Sequence, residues 1–549
     1  EDPGAGPGPA SWRKVASLCA AAGCLHTAVK VWAAWRRARR MRKALEDVPL
    51  ARYEDPAGFL GFFKGLKSNR RRFHHWLDSV TSGLPVSKLL GMPFEPAQTW
   101  LLVRDPACIR HFLKDSFDLY TKPSGEEQPF WYFFNDWVGQ GIVSFPHGVG
   151  AKDGGEAWHK QRKLAANIFT RGNFQSKFQE TFVTKARRLC ELLLEPARGG
   201  QRVDIQRLFF AYTMDGAMDT LCGEASDVMG GDRCDFGDAF DESHRLLMEY
   251  VRPSMAALLC LKYLPFALGG AGGLAWKLHS WASPNYRRFL REKRVVHAES
   301  ERIVAKCRAD PNIGKRKDLL ALFVQSEEKE RFSTAYLRDM MMVFLFAGRD
   351  TTACLLSWTF YMLATNPEVQ DRLQEEVEEK LPYPSTEPSL RAVAAGSMPY
   401  LNGVVYEALR LFPPVPIDDK VCMQDDVLPN GVRVPKGTTV LFAPWAMGRD
   451  PAVYPEPEAV RPERWIPFRQ PPPHEFPVFQ AGPRICLGMD MAIFEAKVCT
   501  AMLLQRFSFS MAPGEAEKIH YSSGVTMSVC NSKNQDSHHL WLVPRARHP

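Results

Sequence analysis

The ten residues Phe479-Gln480-Ala481-Gly482-Pro483-Arg484-Ile485-Cys486-Leu487-Gly488 constrain this chain more than any other stretch, because they set one cysteine at the mouth of a helix near the C-terminus. Gly482 and Pro483 predict a tight loop, and the apolar run from Leu487 onward predicts the helix. The unpaired N–H groups and the positive end of the macrodipole at a helix N-terminus favour an anion, so Cys486 is expected as a thiolate with a lowered pKa. Arg484 supplies a permanently charged fork for a carboxylate. Gly488 removes a side chain where a flat group could lie against the backbone, and Phe479 shields the sulfur side from water. On the competing reading, Cys486 is one of thirteen cysteines and, like most free cysteines, a small buried hydrophobe. Five suitable residues at fixed spacing favour the thiolate.

The segment resembles the Phe-x-x-Gly-x-Arg-x-Cys-x-Gly signature of the cytochrome P450 monooxygenases. The resemblance implies a mainly α fold with small β-sheets, built as a single large helical haem domain. It implies haem b (iron protoporphyrin IX), with Cys486 as the metal ligand and Phe479, Arg484 and Gly488 as cofactor-binding residues.

Other segments extend the resemblance in chain order. Trp158 and Arg162, at i and i+4 of a helix, would more often be a surface cation–aromatic pair; in the family such a pair binds a haem propionate. Met340 to Ala347 is apolar on every side, which predicts a buried helix. It runs into Gly348-Arg349-Asp350-Thr351-Thr352, polar groups that are costly to bury without partners. Ala347 and Gly348 leave a place almost without side chains, where the helix can open for dioxygen beside the cofactor. Asp350 and Thr351 are the expected catalytic residues, Thr351 as hydrogen-bonding group and Asp350 as proton relay. The alternative is a threonine bonded back to its own helix and a surface-paired aspartate. Glu407 and Arg410, at i and i+3, would alone be a weak exposed ion pair; with Arg464 the resemblance makes them a buried structural lock. Lys420 is a weaker analogue of a propionate-binding residue.

Local patterns add a strand at Thr99 to Val103, a helix at Pro106 to Lys114 with proline in its first turn, and a hairpin at Asn430-Gly431. Pro129 to His147 resembles the family's substrate-lining loop. Residues 169–324 read as amphipathic helices and loops, with Met255 to Leu268 either core or a membrane-facing entrance.

A chain of 549 residues, 45% hydrophobic, can bury a large core. With no Gly/Ser linker or internal repeat, residues 51–549 are expected as one monooxygenase domain behind a segment 1–50. The net charge of +8 comes from scattered basic residues and does not argue for nucleic acid. The odd cysteine count and the lack of any Asn-x-Ser/Thr sequon fit a reducing compartment. From Val15 to Trp35 the chain is mostly apolar, followed by the basic run Arg36 to Lys43, the order of a signal anchor that leaves the next domain cytosolic. His26 and Lys30 weaken a spanning helix, and a transit peptide or an amphipathic surface helix are the alternatives. Membrane association at the endoplasmic reticulum is expected, with the chloroplast or another organelle as the alternative. The hinge after the anchor carries only Pro49 and Pro56, and the missing initiating Met suggests a fragment or processed form.

More narrowly, Ala347 to Thr352, Asp425 to Gly431, Ala446 to Arg449 and Ala481 to Arg484 resemble the plant and algal branch that hydroxylates fatty acids at or near the methyl end. The implied partners are an NADPH-dependent reductase, dioxygen, a small lipophilic substrate such as a fatty acid, and a membrane surface. Phe344, Pro413 to Ile417 and Tyr521 to Met527 are expected to line the channel, and Arg252 and Lys122 are candidates to hold a carboxylate. Alternatives are a hydroxylase of another lipid (sterol, terpenoid, alkane), a hydroperoxide-rearranging haem enzyme and a non-catalytic haem sensor. The last two need neither Asp350 nor Thr351.

Overall fold

The computed structural model describes residues 43–548 apart from 53–64, 66–67, 90–99, 124–128, 232–234, 252–281, 329–330, 523 and 533–536, together with Val29, Trp32, Arg36, Arg39 and Arg40. Most of the apolar N-terminal run, the Met255 to Leu268 run and Arg252 therefore lie outside the described residues.

Helices dominate. The α-helices of five or more residues are, in chain order and among the described residues, α1 (Phe73–Thr81), α2 (Pro106–Arg110), α3 (Pro129–Val138), α4 (Glu156–Ala166), α5 (Gln179–Arg198), α6 (Ile205–Ala217), α7 (Asp235–Val251), α8 (Pro284–Arg308), α9 (Leu319–Gln325), α10 (Thr334–Thr365), α11 (Pro367–Lys380), α12 (Pro399–Leu411) and α13 (Met489–Arg506). The expected mainly α fold is the one observed.

Helix α10 is the axis of the molecule. The Ser333 hydroxyl accepts from the Tyr336 amide at 3.0 Å and caps its start. Asn366 and the following Pro367 end it after 32 residues, a length of ~48 Å. Its run of large apolar residues has no polar stripe, so it must be covered all round, and α6, α8, α12 and α13 pack against it. It is long and apolar enough to cross a membrane by composition, but its apolar stretch is packed within the protein.

A mixed sheet of five short strands lies beside this helical mass in the order β1 (Val86–Leu89), β2 (Trp100–Val103), β8 (Thr439–Phe442), β5 (Asp418–Cys422) and β3 (Tyr120–Thr121). Only β2 and β8 run parallel, with Leu101 opposite Val440. β6 (Asp426–Val427) and β7 (Arg433–Val434) form the Asn-Gly hairpin, with Gly431 at φ 85°. β4 (Val203–Asp204), β12 (Trp541–Ala546) and β9 (Phe507–Met511) make a second sheet, and β10 (His520–Tyr521) with β11 (Val529–Cys530) a third. Asp105 caps α2 with Pro106 at its first position; the helix then widens into a π turn over His111–Asp115, and the two together span the stretch expected as one helix. Leu45 and Val48 are buried with the strands of the first sheet, and Lys88 donates to the Leu45 carbonyl at 2.6 Å.

Candidate active site

The Phe479 to Gly488 loop is drawn shut by the Cys486 amide, which donates to the Phe479 carbonyl at 2.8 Å. Gln480 sits at φ 65°, a left-handed conformation that costs a non-glycine residue ~1–3 kcal/mol, and its Oε1 is buried without a partner. Gly482, at φ 64°, is required on two counts: a Cβ there would also lie 2.0 Å from the Leu113 carbonyl oxygen. The helix starts at Met489 with Gly488 at its cap, slightly later than Leu487. Of the nine described cysteines eight are buried, and Cys486 alone presents its side chain to open space.

That sulfur departs from expectation in one respect. The protein around it withholds enough water that desolvation pushes the thiol above its ordinary pKa, outweighing the Gly488 N–H and Arg162, which pull it down. A helix-terminus site of this kind needs a directly bonded cation to hold the thiolate.

Around the loop lies an excess of buried positive charge. Arg484 donates from Nε to His147 Nδ1 at 3.1 Å, from Nη1 to the Ile142 carbonyl at 3.2 Å and from Nη2 to the Phe145 carbonyl, all uncharged acceptors. His147 Nε2 faces the Phe117 carbonyl at 3.1 Å, which makes Nε2 the protonated nitrogen and leaves Nδ1 to accept. Arg484 lies 4.7 Å over the buried Trp158 ring and Arg162 5.7 Å from it, and Arg162 also donates to the Ile485 carbonyl at 2.8 Å. Lys420 reaches the Asp419 carbonyl at 3.1 Å and Asp418 at 3.5 Å, while Lys122 is ion-paired with Asp418. Burial, against Asp418's pull, brings Arg484 down to about 9 and Lys420 down to about 7. Asp418 is thus the carboxylate that the two lysines contact, and Arg162 and Arg484 donate only to uncharged acceptors, an excess of positive charge. Lys122, buried and paired, is not available to a substrate carboxylate.

On α10, every residue from Met340 to Phe360 is buried except Ala347, Gly348 and Thr351, which share one face at helical spacing. The polar residues between them, Arg349 and Asp350, are partnered in part, with Arg349 Nε and Asp350 Oδ2 left without a hydrogen bond. Arg349 donates to Asp350 at 2.9 Å and pairs with Asp241 at 2.6 Å, and His244 Nδ1 lies 3.1 Å from the other Asp350 oxygen. Burial would raise the Asp350 pKa, but Arg349 and His244 together hold it below the ordinary value, so the carboxylate is ionised. The Thr351 hydroxyl donates to the Ala347 carbonyl at 2.6 Å, which leaves its lone pairs to accept.

Glu407, Arg410 and Arg464 meet in one buried network. Arg410 donates to Glu407 at 2.7 and 2.9 Å and Arg464 at 3.3 Å, joined by the Arg461 amide at 2.9 Å and the Trp465 indole at 3.0 Å.

These residues fit a haem. A Cβ on Gly348 or Gly488 would meet nothing nearer than Leu221 at 3.7 Å or Phe169 at 3.8 Å, so no protein atom demands glycine there, in contrast with Gly482. A flat ring beside both would. Propionates would offset the excess of positive charge left by Arg162 and Arg484, and Cys486 is an open ligand. His147 and His244 were not singled out from the sequence, where nothing local marks either one.

A mainly helical chain whose loop presents one open cysteine beside buried cations defines a haem-thiolate protein. Residues 98–536 match the family described as Cytochrome P450, and the chain belongs to that family of haem-thiolate monooxygenases. It is similar to cytochrome P450 704C1 of Pinus taeda (28% identical; 82% of this chain, 86% of that one). It is likewise similar to cytochrome P450 86B1 of Arabidopsis thaliana (28%; 85% and 82%) and to cytochrome P450 94C1 of the same plant (30%; 78% and 82%).

Proposed function

We propose that this monooxygenase hydroxylates long-chain fatty acids at or near the methyl terminus, with electrons from a separate NADPH-dependent reductase. The observation that carries a lipophilic substrate is the one open face in the buried stretch Met340 to Phe360 of α10: Ala347, Gly348 and Thr351, with Phe344 one turn away. The motif resemblance to the fatty acid hydroxylase branch supplies the substrate class.

When bound to Cys486, the haem supplies reductive activation of dioxygen and insertion of one oxygen atom into a C–H bond. Arg162, Arg484, Lys420 and Trp158 would hold and orient it, Phe479 and Gly488 would bound it, and the Glu407–Arg410–Arg464 network would brace the chain beneath its loop. Thr351 Oγ1 can accept and pass on a proton at the open face, and Asp350, ionised at rest, is the carboxylate that takes up a proton from outside and relays it. Terminal attack requires the chain to be presented end-on, because methyl C–H bonds are stronger than internal ones and position must override reactivity. The segment after α12 is tied to the C-terminal hairpin by the Met527 amide, which donates to the Pro414 carbonyl at 2.9 Å; the Trp358 indole donates to the Met527 carbonyl at 2.6 Å. These bonds support the reading that Pro413 to Ile417 and the Met527 segment line one side of the channel. Tyr521 does not join them, because its hydroxyl accepts from the His74 amide at 3.0 Å and contacts the His75 ring at 2.9 Å.

We assign residues 1–50 to a membrane tether with the catalytic domain on the cytosolic side of the endoplasmic reticulum. The test is turnover of reconstituted protein with reductase and NADPH on fatty acids of graded length. Hydroxyl on the terminal or penultimate carbon supports the reading; an intact thiolate spectrum with no fatty acid oxidised would redirect the search to other lipids.

A further inference from the structure

We propose that His244 is the positioning residue of the Asp350 carboxylate, and that α7 thereby sets where the proton-delivering acid of α10 points. Asp241 and His244 stand at i and i+3 on α7 and meet two consecutive residues of α10. Asp241 Oδ1 takes Arg349 Nη1 at 2.6 Å; Arg349 Nη1 also holds Asp350 Oδ1 at 2.9 Å; His244 Nδ1 takes Asp350 Oδ2 at 3.1 Å. An acid and a base on one helix are thus crossed with a base and an acid on the other: Asp350 Oδ1 accepts from Arg349, and Oδ2, without a hydrogen bond of its own, has His244 Nδ1 within ion-pair reach. Asp241 is 56% exposed and Asp350 fully buried, so the set runs from solvent to the interior beside the open face of α10.

The His244 ring has little freedom. It stacks on Trp137 at 5.0 Å and 13°, and meets Phe346 edge-on at 5.5 Å. Trp137 is itself pinned by its indole N–H to Ser243 Oγ at 2.8 Å, and its carbonyl contacts His297 Nε2 at 2.8 Å. With the ring plane fixed and Nδ1 on Asp350, Nε2 is left buried without a partner. A histidine needed only for packing would not have to bring a nitrogen to 3.1 Å from the one buried carboxylate of α10.

The consequence concerns where protons go. Turnover takes substrate, dioxygen, two electrons and two protons to hydroxylated product and water. If the second proton is misdirected, the same two electrons and two protons leave as hydrogen peroxide. His244 does not touch the substrate; it fixes the oxygen from which Asp350 delivers. The inference rests on the family's monooxygenase chemistry and not on the fatty acid reading, since any oxidised substrate serves.

The test compares holoenzyme carrying His244→Phe, which keeps the stack and loses the donor, with His244→Asn, whose amide N–H lies near the position of Nδ1. His244→Phe is expected to lower product formed per NADPH roughly tenfold with a matching rise in peroxide, leaving the substrate-induced spectral shift unchanged. His244→Asn is expected to recover most of the loss. Independently of activity, thermal unfolding of His244→Phe, Asp350→Asn and the double variant should be non-additive, because the two side chains touch. Unchanged coupling in His244→Phe, no recovery in His244→Asn, or additive unfolding shifts would each overturn the proposal. Should His244→Phe not fold, His244→Gln takes its place, its amide lying nearer Nε2 than Nδ1, and it should lose coupling where His244→Asn keeps it.

Discussion

Substituting Glu407→Gln tests whether the buried network beneath the loop is held by charge. Both Glu407 and Arg410 are fully buried. The other partners of Arg410 are the carbonyls of Gly448 and Pro457 at 2.6 Å and Ala459 at 3.1 Å, so its charge is neutralised by Glu407 alone among them. Glutamine keeps the shape, but one acceptor oxygen becomes an NH2 group. If it replaces Oε2, Arg410 Nε and the Trp465 indole lose their acceptor; if it replaces Oε1, Arg410 Nη2, Arg464 Nε and the Arg461 amide do. An unmet buried donor costs ~1–3 kcal/mol, and breaking a buried ion pair ~3–5 kcal/mol. These overlap, so the expected loss is ~4 kcal/mol. At ~2.1 cal/mol/K per residue, the unfolding entropy of a chain this long turns that into a midpoint shift of only ~3 °C. Thermal unfolding followed by circular dichroism and by loss of the haem absorbance reads it. A shift under ~1 °C with full haem content would refute charge compensation as the basis of the lock. Arg464, at 12% exposure and 3.3 Å, is the weaker arm, and Arg464→Ala should cost within ~1 kcal/mol.

Cys486→Ser should abolish the thiolate signature of the reduced carbonyl complex; a retained signature would place the ligand elsewhere. Thr351→Ala removes only a bond back to its own helix, so the fold should be unaffected while NADPH is consumed with little product; normal product yield would exclude Thr351 from proton delivery. His74 is buried and lowered to about 3 by desolvation, then by Arg449 and His75. The unfolded chain binds its proton below about 6.5 and the folded one does not, so this site's full stability is present above pH 6.5 and is lost as pH falls toward 3, ~2 kcal/mol by pH 5. His74→Leu should flatten that stretch of the unfolding-midpoint profile, and an unchanged profile would exclude His74 as its source.

Much of this protein was legible in local patterns. The spacing of Phe479, Gly482, Arg484, Cys486 and Gly488 marked the thiolate loop, an apolar run without a polar stripe marked α10, and Asn430-Gly431 marked its hairpin, because each is a constraint among residues a few positions apart. Tertiary packing decided the rest. Whether Cys486 has a lowered or raised pKa depends on how much water its surroundings exclude, which no helix-terminus argument contains. Lys122 and Tyr521 read as candidates near a substrate, yet Asp418 and the α1 backbone, each some three hundred residues or more distant in sequence, had already claimed their polar atoms. His244 carried no signal at all, since its meaning lies in a carboxylate on another helix. Side-chain type and short spacing determine which chemistry is available; long-range contacts and desolvation determine which groups are free to perform it.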